Sequence, residues 1–189
     1  MTPEEETLLR IARGLESEAI PYMVAGSFAS SYHGRPRATH DADVVIDPTR
    51  DQLARLVKRL GTLGFYVDAA RAADAFERRR QFNVIDPEIG WKVDLIIRKD
   101  RPFSQAEMAR RQPAQLAPNE TIAITSPEDT VISKLEWARQ SGESGKQLAD
   151  VAGVLEVTRD LDRAYIERWA AELGLLDLWR SVSSRTDSD

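Results

Sequence analysis

The sequence predicts an α/β (α+β) fold, a mixed sheet flanked by helices, with a helical C-terminal part. Three observations predict it. Short apolar runs of strand length alternate with helix-period stretches through residue 125; a Gly-Ser step follows the first such run and opens a short helix; and from Ser126 onward only helical periodicity remains. The expected division is an α/β core over residues 1–125 and a helical region over 126–189 that completes the site.

The elements follow in order. Thr2 N-caps a first helix with Pro3 at its first position and Glu5 closing a capping box, and Leu8, Ile11, Ala12, Leu15 and Ala19 form its apolar face, with an end near Ile20-Pro21. Tyr22 to Ala25 reads as a strand, and Gly26-Ser27 opens a helical turn that closes at Gly34. Ala42 to Ile46, Phe65 to Val67, Gln81 to Ile85 and Trp91 to Ile97 read as strands, with helices over Thr49–Leu60 and Ala69–Arg80. A last strand is placed at Thr121 to Thr125. Helices follow over Pro127–Gln140, Ser144–Val157, Asp162–Leu173 and Leu175–Val182, broken at Ser141-Gly142 and Gly174, and Ser126 caps the first of them with Pro127 at N1.

Composition bounds the chemistry. The chain has 189 residues, 42% hydrophobic and 30% charged, enough for a packed core. It has no cysteine and two histidines, His33 and His40, which excludes thiolate metal sites and leaves carboxylates as the material for any metal centre. Net charge of −5 argues against a duplex-DNA binder held by global positive charge. The acidic start lacks a signal-peptide pattern and no apolar run approaches a membrane span, so no membrane is expected and the cytoplasm is the expected location.

The most informative stretch is Val24-Ala25-Gly26-Ser27 followed by Asp41-Ala42-Asp43-Val44-Val45-Ile46, with thirteen residues between Ser27 and Asp41. Strand side chains alternate, so Asp41 and Asp43 share one face and Ala42, Val44 and Ile46 enter a core. Side-by-side carboxylates repel unless a cation neutralises them, and oxygen-only ligation favours Mg²⁺ or Mn²⁺. Asp94 stands in Lys92-Val93-Asp94-Leu95-Ile96-Ile97, an acid on the face opposite Val93 and Leu95. Three such acids suit metal-assisted attack on a triphosphate. Gly26 lets backbone approach a phosphate, and Ser27 with the helix N-terminus offers donors.

Gly26-Ser27, Asp41, Asp43 and Asp94, in that order, resemble the signature of the nucleotidyltransferase superfamily of the DNA polymerase β type. Arg37 and Thr39 ahead of Asp41 are similar to the Arg-x-Thr-x-Asp-x-Asp form of the AbiEii-like branch, which includes toxins of toxin–antitoxin systems. Ser126-Pro127-Glu128-Asp129 with Lys134-Leu135, and the helix bearing Lys146 and Asp150, also resemble that branch; Gln147 departs from it where relatives carry an acid. The chain is shorter than many toxins of the branch.

The resemblance implies an enzyme that transfers NMP from an NTP to a hydroxyl acceptor, which is RNA, protein or a small molecule, with a cognate antitoxin as a further partner. Asp41, Asp43 and Asp94 would be the catalytic and metal residues. Gly26, Ser27, Arg37, Thr39, Lys134 and Asp150 would bind the nucleotide. The plain alternatives are a snorkelling Lys134, an exposed Asp150 paired with Lys146, solvated arginines at 78–80, and histidines bonded to backbone. Trp91, Trp137, Trp169 and Trp179 read as packing residues. Two other functions compete: a non-catalytic nucleotide- or RNA-binding module, and an antitoxin-like interaction subunit using Leu173 to Leu176 and Trp179.

Overall fold

The structure, a computed structural model, describes residues 1–142 and 145–186. Its elements are α1 (Pro3–Ser17), β1 (Tyr22–Ala25), α2 (Gly26–His33), β2 (Asp41–Ile46), α3 (Arg50–Thr62), β3 (Tyr66–Val67), α4 (Ala69–Arg78), β4 (Gln81–Asp86), β5 (Trp91–Ile97), α5 (Pro102–Arg110), β6 (Gln112–Ala117), β7 (Glu120–Ile124), α6 (Pro127–Gln140), α7 (Gly145–Val157), α8 (Arg163–Glu172) and α9 (Leu176–Thr186). The α/β class is as the sequence predicts. Ser144, the expected start of α7, lies outside the described residues, as do the last three residues of the polar tail.

Contacts divide the chain into two compact units. The first, residues 1–24 and 39–124, holds the sheet, with strand order β3-β4-β5-β2-β1-β7-β6. β2 and β5 run parallel at its centre, as do β1 and β7, while β3, β4 and β6 pair antiparallel with their neighbours. α1 packs on α3, and α3 on α4. The capping box of α1 forms as expected: the Thr2 hydroxyl accepts from the Glu5 amide while the Glu5 carboxylate accepts from the Thr2 amide. α1 ends at Ser17, ahead of the expected Ile20, because Ala19 turns left-handed at φ 53°.

Alternation on β2 and β5 is sharp. Ala42, Val44, Ile46, Val93, Leu95 and Ile97 are buried, while Asp41, Asp43 and Lys92 reach partial exposure on the other face. α5 and β6 have no counterpart in the sequence reading. β6 is an edge strand carrying Pro113, whose missing N–H is tolerated only at an edge, and its glutamines and alanines give no apolar alternation to read.

The second unit, residues 25–38 and 125–189, is all-helical over its described residues. It takes in α2, which the sequence order places among the strands, because α2 packs on α6 and α7. Gly34, just past α2, is the point of closest approach. A Cβ there would stand 2.7 Å from the Val154 amide nitrogen and 2.8 Å from the Gly153 carbonyl carbon, so only glycine fits. The Ser126 cap forms as predicted, its hydroxyl accepting from the Asp129 amide; Asp129 is then tied to α8 by the Tyr165 hydroxyl at 2.7 Å. Trp91, Trp169 and Trp179 are buried, but Trp137 is 57% exposed and is no packing residue.

Candidate active site

In the first unit, the parallel register of β2 and β5 sets Asp41 beside Lys92 and Asp43 beside Asp94. Laterally paired residues share a face, so the three aspartates and the lysine lie together. β4 extends this face by setting Asn83 beside Asp94 and Ile85 beside Lys92. The Lys92 ammonium stands 3.0 Å from an Asp94 carboxylate oxygen and 3.6 Å from one of Asp41. Asp94 also accepts from the Gln81 amide at 3.2 Å and from the Asn83 amide. The hydrogen bond to Asp94, aided by the charges of Asp94 and Asp41, raises the Lys92 pKa against a smaller opposing effect of burial. Thr39 donates to the Asp41 carbonyl at 2.7 Å and so fixes the entry into β2.

The second unit gathers the remaining predicted residues around Asp150. This carboxylate accepts from Arg37 through Nε at 2.8 Å and Nη2 at 2.9 Å, a bidentate pair. Lys134 reaches it at 2.7 Å, and the Ser30 hydroxyl donates at 3.1 Å. Arg37 Nη2 also donates to the Ser27 hydroxyl at 2.6 Å. Burial opposes the charge on Asp150, but the donors from Arg37 and Lys134 outweigh it and hold the pKa at about 2. Two plain readings are thereby corrected. Lys134 is buried with its ammonium, so it does not snorkel, and Asp150 is buried against Arg37 and Lys134 rather than exposed against Lys146.

Gly26 opens α2 at φ 60°, a conformation that glycine adopts freely, and no side chain caps this helix start. Its first amides therefore keep the donor capacity that suits an anion. His33 is buried at the other end of α2, where Nε2 donates to the Thr125 carbonyl at 2.8 Å. That is the backbone-bonded role. Burial lowers its pKa, partly offset by this hydrogen bond.

Solved structures show what arrangement of strands and helices this is. ANT(2")-Ia in complex with adenylyl-2"-tobramycin is 15% identical, with a TM-score of 0.63 over 91% of this chain and 97% of that one. A nucleotidyltransferase-like antigenic protein from Paracoccidioides brasiliensis is 19% identical, with a TM-score of 0.59 over 98% and 93%. The lincosamide adenylyltransferase LnuA with bound lincomycin is 13% identical, with a TM-score of 0.55 over 84% and 99%. The chain has the nucleotidyltransferase fold. No protein-family model matches the sequence, and comparison with curated proteins gives no match.

On this nucleotidyltransferase fold, the face of β2 and β5 suits a hard divalent cation in kind. Its donors are carboxylate oxygens, and an ammonium already stands between two of them. As placed, no three acidic or histidine side chains among the described residues come close enough to enclose a metal ion, and Asp94 is taken up by Gln81, Asn83 and Lys92. Gln81, Asn83, Lys92 and Ser30 are the residues that sequence reasoning did not assign. Lys92 and Asn83 carried a signal, since both are polar positions on strands that alternate: alternation within β5 already puts Lys92 on the face of Asp94, two residues on, but only the register shows that Asn83 meets it. Among the described residues, no helix is long and apolar enough to cross a membrane.

Proposed function

We propose that the protein is a nucleotidyltransferase that moves NMP from an NTP to the hydroxyl of a small acceptor. The single observation that carries this reading is the placement of Asp41, Asp43 and Asp94 on one face of two adjacent parallel strands in a nucleotidyltransferase fold. Asp41, Asp43 and Asp94 would hold Mg²⁺ or Mn²⁺, which when bound supplies charge neutralisation for the triphosphate and its pyrophosphate leaving group. Asp94, kept in orientation by Gln81 and Asn83, takes the proton of the acceptor hydroxyl. The acceptor oxygen then forms its bond to the α-phosphorus as the bond to pyrophosphate breaks. The uncapped start of α2 with Gly26 and Ser27, together with the cations Arg37 and Lys134, receives phosphate oxygens, and Asp150 holds those two cations in place.

A small acceptor is favoured over RNA or protein because the ANT(2")-Ia and LnuA structures carry tobramycin and lincomycin chemistry on chains matched over nearly their whole length. Support for the AbiEii-like branch, and for an antitoxin partner, comes from sequence motifs alone: Arg37-x-Thr39-x-Asp41-x-Asp43, Ser126-Pro127-Glu128-Asp129 with Lys134-Leu135, and the helix bearing Lys146 and Asp150. The test is incubation with each α-labelled NTP and Mg²⁺ against aminoglycoside and lincosamide panels, other small polyols, total RNA and protein. Label on a small molecule with release of pyrophosphate is expected. Label on RNA or protein overturns the acceptor, and pyrophosphate from none of them overturns the enzyme.

A further inference from the structure

On the aspartate face one cation is supplied by the chain itself. The register lays Lys92-Val93-Asp94 of β5 alongside Asp41-Ala42-Asp43 of β2, so that a lysine, rather than a fourth acid or an apolar residue, completes the square. Ile85 of β4 flanks Lys92 on its other side and offers its ammonium no acceptor, which leaves the aspartates as its charged neighbours across these strands. The side chain is 40% exposed and bridges Asp94 at 3.0 Å to Asp41 at 3.6 Å. Without a positive charge here the aspartates would repel one another in the metal-free protein.

We propose that Lys92 is a resident counter-cation that competes with the divalent ion for Asp41 and Asp94 and so sets the metal affinity of the site. The proposal rests on the metal-binding reading given above. The ammonium holds the carboxylates together while no divalent ion is present. Its longer contact, to Asp41, is the weaker one and is surrendered first. Each metal that enters must displace this contact, so the lysine lowers affinity while preserving the fold. Lys92 thus works on charge balance, through the carboxylates of Asp41 and Asp94.

The experiment measures Mn²⁺ alone, by electron paramagnetic resonance of the free ion, against the full chain and the variants Lys92→Met, Lys92→Gln and Lys92→Arg, each also with Asp43→Asn. Lys92→Met and Lys92→Gln are expected to bind Mn²⁺ about tenfold more tightly than wild type, since a positive charge close to the bound ion is removed. They should melt lower than wild type without metal and recover on adding it. Lys92→Arg, which keeps the charge, should stay close to wild-type affinity, and Asp43→Asn should weaken binding in every background. If Mn²⁺ binds wild type and both neutral variants equally, or binds the neutral variants more weakly, the counter-cation role is overturned while the metal site stands. If no variant binds Mn²⁺, or if Asp43→Asn changes nothing, the metal site falls and the competition with it. Should Lys92→Met fail to fold, Lys92→Gln, which can still donate to Asp94, gives the same reading.

Discussion

The aspartate face of the sheet and the Asp150 cluster of the helical unit solve opposite charge problems. On β2 and β5 one ammonium serves two of three carboxylates, and Asp41, Asp43 and Lys92 are partly open to solvent while Asp94 is buried. Around Asp150 two cations share one carboxylate, and both Lys134 and Asp150 are buried. The first has the sign and exposure that suit an incoming cation, the second the sign that suits phosphate. The difference teaches that charge ratio and burial, more than residue type, tell a site that must exchange its partners from one that is held fixed.

The largest expected effect breaks the first region. Asp43→Asn removes a charge at nearly constant volume and should cut turnover by about a thousandfold or more, with the melting temperature unchanged or raised as repulsion falls. Pyrophosphate release and a thermal melt on the same sample check this. Wild-type turnover in the variant would end the catalytic assignment.

The matching change in the second region should act on the fold. Asp150→Asn puts a neutral amide where Arg37 and the buried Lys134 now meet a carboxylate, which costs about 3 kcal/mol and lowers the melting temperature by roughly 6–12 °C for a chain of this size. The pH dependence has a definite sign. The Asp150 carboxyl is depressed from 3.8 to about 2, so its stabilisation is fully present above the unfolded value and is lost as pH falls toward the folded one. The gap between wild type and variant in denaturant titrations should therefore be level above about pH 4 and close between about pH 4 and pH 2. A gap that stays constant to pH 2 would show that the carboxylate is not what Lys134 and Arg37 stabilise.

The two regions also differ in how far the sequence disclosed them. Asp-x-Asp on an apolar strand, and an acid on another, are local patterns, because strand alternation alone sets which face they take; so are the caps of α1 and α6, where the interacting residues are three apart. The Asp150 cluster joins residues 113 positions apart, and no periodicity carries that pairing. The resemblance named Arg37, Lys134 and Asp150, but not that they bond one another. Gln81 and Asn83 were hidden for a related reason, as was the approach of Lys92 to Asp41: a strand's face can be read, and with it Lys92 beside Asp94, but its register against a neighbour cannot. β6 was missed because Pro113 and alternating small and polar residues leave no hydrophobic period, and α5 because its buried positions include the polar Ser104 and Glu107.

A smaller change sharpens the separation of the two regions. Gly34→Ala drives a methyl into the backbone of α7 at Val154 and Gly153, and should cost about 1–3 kcal/mol of stability. Gly34 has φ −129°, so the cost comes from lost space and none from backbone strain. Mn²⁺ affinity, a property of the aspartate face, should remain at the wild-type value. A parallel loss of metal binding would mean that the helical unit supports the aspartate face as well as its own cluster.

The smallest expected effect tests whether the aspartate face is itself pre-organised. Asn83 touches Asp94 alone among the acids paired with it across the strands, and it acts as a positioning residue. Asn83→Ala removes one of three donors to Asp94, leaving Gln81 and Lys92, so about 1 kcal/mol of orientation is lost. That predicts a fall of about fivefold in kcat with the KM for NTP unchanged, because orientation of the proton acceptor matters in the transition state and not in binding the triphosphate. Asn83→Ser, which keeps a donor on a shorter side chain, should recover part of the loss. A change confined to KM would instead place Asn83 in nucleotide binding, and an unchanged kcat would mean that Lys92 and Gln81 already fix Asp94 without it.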